Sequence, residues 1–175
     1  MERPLFTRKK CRQRGFTLLE TMVAIAVLAI GLLSMAGLMS QMVRGTTNSR
    51  FMSTAAMLAT EKLEDLGRYA STDAAVANGG DLVSGNPLYS DTVQVSTGSG
   101  TISENYNGTI VTHWPNGTVT NAAPAPGPET LTFNRSWQVE AGQPVAGARR
   151  ITVVVTLQNQ AASSPVRFQS SMVRP

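Results

Sequence analysis

The chain has 175 residues, of which 15% are charged and 6% aromatic, enough for one modest domain plus an accessory segment. Its basic character is local: Arg3, Arg8, Lys9, Lys10, Arg12 and Arg14 stand against Glu2 in residues 1–15, a net of +5, while the other 160 residues hold 9 basic and 10 acidic groups. That split argues against nucleic acid, which needs a basic stripe on the folded domain; and the single cysteine, Cys11, excludes an intrachain disulfide or a Cys-based metal centre.

From Gly15 to Val43 the only ionisable side chain is Glu20. The run from Thr17 to Val43 spans about 40 Å as a helix, enough to cross a hydrocarbon core of about 30 Å. Nine residues between Met22 and Val43 are Val, Ile or Leu, contributing roughly −3 to −5 kcal/mol toward insertion and offsetting one carboxylate at the helix end. The basic residues in front of it act as an orientation signal that keeps the N-terminus cytoplasmic. Helical patterning then continues. Arg44 to Tyr69 contains no proline, and Met52, Ala55, Ala59, Leu63 and Leu66 recur at spacings of 3, 4, 4 and 3, an amphipathic stripe that needs a surface to lie against. The two stretches together predict one helix of about 50 residues, apolar all round in its first half and on one side in its second.

Residues 71–100 are rich in Gly, Ser, Asn and Asp and read as loop, with a strand over Tyr89–Val95 near their end. Asn107-Gly108 marks a hairpin turn, Asn116-Gly117 another turn, and Ala123–Pro128 (APAPGP) a stiff connector. Leu131–Glu140, Arg150–Gln158 and Val166–Val173 alternate or run in β-branched residues and predict a three-stranded antiparallel meander. A long helix followed by strands is an α+β arrangement, with one sheet face available for the amphipathic helix. The expected organisation is a leader over 1–15, a hydrophobic helix over 16–44, its amphipathic continuation over 45–70, and loops with a β-domain over 71–175.

The most informative string is Arg14-Gly15-Phe16-Thr17-Leu18-Leu19-Glu20 ahead of the apolar helix. It places an unhindered glycine at the membrane surface, where a membrane-embedded protease can reach the Gly15–Phe16 bond. Cleavage there creates an α-amino group on Phe16, four residues from Glu20. A carboxylate at the edge of a bilayer span is expensive and by default functional. If copies pack side by side with an axial offset, the Glu20 carboxylate of one meets the Phe16 ammonium of the next, and breaking such a buried pair costs about 3–5 kcal/mol.

These residues closely resemble the class III signal peptide of type IV pilins and type II secretion pseudopilins, a basic leader followed by Gly-Phe-Thr-Leu-x-Glu. The resemblance covers roughly residues 8–45. It implies a pilin-like fold, cleavage between Gly15 and Phe16 by a prepilin peptidase, N-methylation of Phe16 by the same enzyme, and Glu20 as the assembly carboxylate. It also implies a single-pass inner-membrane precursor with a periplasmic C-terminal domain, later moved into a pilus or pseudopilus. The implied partners are other minor and major pilins and the inner-membrane assembly platform protein. A weaker resemblance, carried by ATEKLEDLGRYA and the strands RSWQVE, RRITVVVTLQ and VRFQSSMVRP, points to PilV-type minor pilins and the similar I-type pseudopilins. The mature chain lacks the cysteine pair of many major pilins and has Gly37 where many carry a kinking proline; both departures shift weight toward a minor pilin, tip component or pseudopilin.

Nothing else in the sequence points to catalysis, metal or a cofactor. His113 stands alone in a turn-like THWPNG, no G-x-S-x-G frames a serine, and no Gly-rich phosphate loop follows a strand. Asp73, Asp81 and Asp91 match no calcium-loop spacing and read as solvated loop charges. Trp114 and Trp137 read as packing residues, and three Asn-x-Ser/Thr triplets as chance matches. Two rivals for the N-terminus are a secretory signal cut after Ser34-Met35-Ala36 and a plain signal anchor. The runner-up for the function, within the same architecture, is a type II secretion pseudopilin; rivals from other classes are a tethered enzyme or binding module and a DNA-uptake protein.

Overall fold

In the computed structural model, residues 16–82, 86–124, 130–158 and 166–175 are described. The expected leader with Gly15, most of the Ala123–Pro128 connector and the stretch 160–165 lie outside them. Two compact units divide the chain, residues 1–45 and 46–175.

One helix, α1 (Leu18–Arg68), runs through 51 residues, and no proline falls between Pro4 and Pro87 to break it. Thr17 caps its start: its carbonyl accepts the N–H groups of Glu20 at 3.0 Å and Thr21 at 3.2 Å, and its hydroxyl oxygen lies 3.3 Å from the Glu20 nitrogen. In the first unit every described side chain is exposed. The segment is long and apolar enough to cross a membrane. Its hydroxyls are satisfied within the helix, Thr21 Oγ1 donating to the Leu18 carbonyl at 2.8 Å and Ser34 Oγ to that of Ile30 at 2.9 Å.

Within the second unit, α1 buries Ala55, Leu58, Ala59, Lys62, Leu63 and Leu66. Four residues of the expected stripe are there; Met52 is instead 38% exposed. Leu58 and Lys62 join because a buried helix face is at least 100° wide, so the positions between Ala55, Ala59 and Leu63 turn inward too.

The surface that receives the helix is an antiparallel sheet. Its strands are β1 (Gly79–Gly80), β2 (Ser90–Ser96), β3 (Thr101–Tyr106), β4 (Thr109–His113), β5 (Val119–Thr120), β6 (Thr130–Ala141), β7 (Arg149–Leu157) and β8 (Arg167–Arg174). The order is β5-β4-β3-β2-β6-β7-β8, with β1 also on β6. The expected meander is present as β6-β7-β8, extended on its other side by β2 to β5, a pairing between distant segments that alternation alone does not reveal. Part of the expected loop is also strand: Gly79 and Gly80 pair with Val139 and Gln138. A Cβ on Gly80, whose φ is +90°, would lie 2.3 Å from the Trp137 carbonyl oxygen, so only glycine fits there. The β3–β4 hairpin turns at Asn107 (φ 48°) and Gly108 (φ 80°), the pair of left-handed residues a two-residue primed turn requires.

Register sorts the faces. Val93 lies opposite Phe133, Arg135 opposite Val155, and Trp137 opposite Val153, so Phe133, Arg135, Trp137 and Val139 share a face with Val93, Ile151, Val153 and Val155. These apolar side chains form the core with Ala55, Leu58, Leu63 and Leu66 of α1. β7 is buried on both faces from Ile151 to Val155, which is why it reads as a β-branched run rather than an alternation. The long N-terminal helix packed on a C-terminal antiparallel sheet is the pilin-like α+β arrangement expected from the sequence.

Candidate functional site

Two places gather functional chemistry, one in each unit. In the first, Phe16 precedes α1 and is 81% exposed, and Glu20 sits in the first helical turn, also exposed. The turn is set by Thr17, whose backbone and side-chain oxygens both lie within hydrogen-bond distance of the Glu20 nitrogen. A carboxylate here is favoured by the positive end of the helix dipole. Around it, Leu18, Leu19, Met22, Val23, Ile25 and Val27 are all at least half exposed, so the acid stands at the head of an apolar rod.

In the second unit, four charges converge between helix and sheet. Asp91 of β2 is 5% exposed and accepts a two-pronged contact from Arg135 of β6, Nε to Oδ1 and Nη2 to Oδ2, both at 2.8 Å. The same Nη2 lies 3.0 Å from Glu104 Oε1, and Nη1 donates to the Leu58 carbonyl of α1 at 3.4 Å. Lys62 brings its ammonium 3.3 Å from Asp91 Oδ2 and over the ring of Trp137, 4.4 Å from its centroid. The arrangement satisfies the condition under which a buried ion pair survives, multiple hydrogen bonds in good geometry. Burial opposes the charge on Arg135, yet the hydrogen bond and charge of Asp91, then Glu104, hold its pKa above the ordinary arginine value. At the rim, Glu61 is pushed above the ordinary carboxylate range by burial and then by the charge of Glu104.

This cluster corrects one expectation: Asp91 is not a solvated loop charge. A signal was present: alternation places Arg135 between Phe133 and Trp137 on the apolar face of β6, and Asp91 in line with Val93 and Val95 on β2. An inward arginine needs an inward acid.

The cluster does not resemble a reaction centre. Each nitrogen of Arg135 is committed, and among the described residues no group of three or more His, Cys, Asp or Glu is placed to hold a metal. It ties α1 to β2, β3 and β6. His113 ends β4 and, with Glu61, Glu64 and Glu104, lines a cavity of about 330 Å³ beside the cluster. Trp137 is packed, 2% exposed, whereas Trp114 is 38% exposed, with its indole N–H on the Thr120 hydroxyl at 3.1 Å. Asp73 caps the short 3-10 turn Ala74–Val76 by accepting the Ala75 N–H at 2.9 Å.

No curated protein and no solved structure matches the chain. Residues 10–36 match the family model described as the prokaryotic N-terminal methylation motif, so the chain carries the N-terminal signature of type IV pilins and pseudopilins.

Proposed function

We propose that this chain is a minor type IV pilin, a structural subunit that is processed, N-methylated and built into a filament through its N-terminal helix. The observation that carries the reading is the match over residues 10–36 on an apolar helix segment whose described side chains are all exposed. The motif implies a prepilin peptidase and other pilins as partners, and the reading adds the inner-membrane platform protein. In it the Gly15–Phe16 bond is cut, Phe16 carries the methylated amine, and its ammonium neutralises Glu20 of a neighbouring copy. The role is docking rather than catalysis. The carboxylate is tolerated beside the bilayer because that partner arrives on assembly.

The test is a mass measurement of the N-terminus of the native protein together with the Glu20→Ala variant. The mature chain should begin at methylated Phe16, and the variant should still insert in the membrane but fail to enter filaments. A native chain that starts at Met1, or beyond Ala36, would sink the reading, as would normal incorporation of the variant. Because the motif is shared with type II secretion pseudopilins, a gene deletion separates the two: loss of pilus function supports the minor pilin, and loss of exoprotein secretion the pseudopilin.

A further inference from the structure

At the far end of the β7–β8 ladder, Arg149 and Arg174 lie directly opposite each other. Like charges in such a pair destabilise it. Both sit two residues from a helix-facing pair, Ile151 and Met172, so the period of two turns both to the same side of the sheet. Arg150, between them in phase, points the other way and is paired with Glu140 at 2.7 Å.

The two guanidinium groups are held in place from above by the segment that follows α1. Arg149 Nη1 donates to the Val76 carbonyl at 2.6 Å, and Arg174 Nη1 to the Tyr69 carbonyl at 2.8 Å. Each fork has five N–H donors, so one bond each leaves most of both uncommitted. Between them is a cavity of about 220 Å³, completed by Ser71, Val76, Ile151 and Pro175. Among the described residues no lining side chain carries a carboxylate. Tethering two loop carbonyls does not require two opposed arginines; a pair of neutral donors would do that without the repulsion.

We propose that this cleft is a binding site for a phosphate-class oxyanion, gripped by the uncommitted prongs of Arg149 and Arg174 and by the Ser71 hydroxyl. Bound phosphate removes the like-charge conflict, and forks already anchored on carbonyls lose little freedom on binding. Donors arriving from two strands and a loop suit an ion with three or four oxygens better than a carboxylate with two. The site is independent of the filament reading, since it uses none of the residues from Phe16 to Glu20.

The experiment is calorimetric titration of the full-length protein, in non-ionic detergent and phosphate-free buffer, with inorganic phosphate. Saturable binding of one phosphate per chain is expected, weakened at least about tenfold in Arg174→Gln. That variant keeps an amide donor for the Tyr69 carbonyl, and its thermal midpoint without phosphate should stay near that of the parent. Arg150→Gln should bind as the parent does. On the unmodified protein, sulfate should displace phosphate while chloride at equal ionic strength should not, which keeps the test decisive even if Arg174→Gln misfolds. Glycerol 3-phosphate and short-chain phosphatidylglycerol then identify the carrier, tighter binding of either than of inorganic phosphate assigning a monoester or a lipid headgroup. Absence of saturable heat, equal binding by Arg174→Gln, or equal displacement by chloride overturns the proposal.

Discussion

Two acids in this chain share a face with apolar side chains, Glu20 on α1 and Asp91 on β2, and their fates differ. Asp91, in the second unit, finds its cations within the chain: Arg135 at 2.8 Å and Lys62 at 3.3 Å. Glu20, in the first, forms no ion pair among the described residues, and its neighbours on the helix are exposed. The same helix passes through both units, so backbone conformation is not the difference. What differs is whether the chain itself supplies a second surface. Residues 46–175 complete their own core, whereas the apolar segment over 16–45 needs lipid or other copies to cover it. A charge completed internally serves stability, and under the proposed function the one left to be completed from outside serves assembly.

The sharpest way to break this contrast is Arg135→Met, which leaves Asp91 buried opposite only Lys62. It should lower the unfolding free energy of the second unit by about 3–5 kcal/mol, read from Trp137 fluorescence in a denaturant titration. Adding Asp91→Leu and Lys62→Met to it should recover most of the loss, since removing the paired buried charges together can be nearly neutral. A single variant within about 0.5 kcal/mol of the parent would refute the idea that the cluster holds helix to sheet.

Next in size, Leu58→Ala should cost about 3 kcal/mol, because Leu58 is fully buried. Leu28→Ala, the same change on the same helix, should leave that transition unmoved within about 0.5 kcal/mol. Equal losses in the two would mean that the first unit shares the core of the second.

The smallest effect is expected from Glu61→Gln. The folded pKa of Glu61 is raised, by burial and then by Glu104. The carboxylate therefore costs nothing below the unfolded value near 4.5 and becomes unfavourable as pH rises through the folded value. Glu61→Gln should thus be more stable than the parent at neutral pH, by a few tenths of a kcal/mol given its exposure, and should lose that advantage as pH falls toward 4.5. An advantage that grows on acidification would reverse the sign.

How much of this was readable beforehand follows the range of the forces. The long helix was legible because absence of proline, apolar content and 3.6-residue spacing act within a few residues of one another. The turn at Asn107-Gly108 was legible because only a few residue types accept φ > 0. The ladder of β2 on β6 was not, since Asp91 and Arg135 are 44 positions apart and nothing local records their meeting. The burial of Lys62 was not legible for a related reason: a cation on a helix flank is normally solvated, and the nearby Asp91 and Trp137 make its burial tolerable.

By itself, then, the sequence determined the elements whose cause is local: the Gly15–Phe16–Glu20 arrangement before an apolar rod, the helix behind it, and the alternating or β-branched runs of the last three strands. Only the tertiary structure decided which strands join, which charges become core, and that Arg149 and Arg174 face each other across a cleft. Pairing in a sheet is chosen by closing loops and matching faces over the whole unit, and that choice is not written in any short stretch of chain.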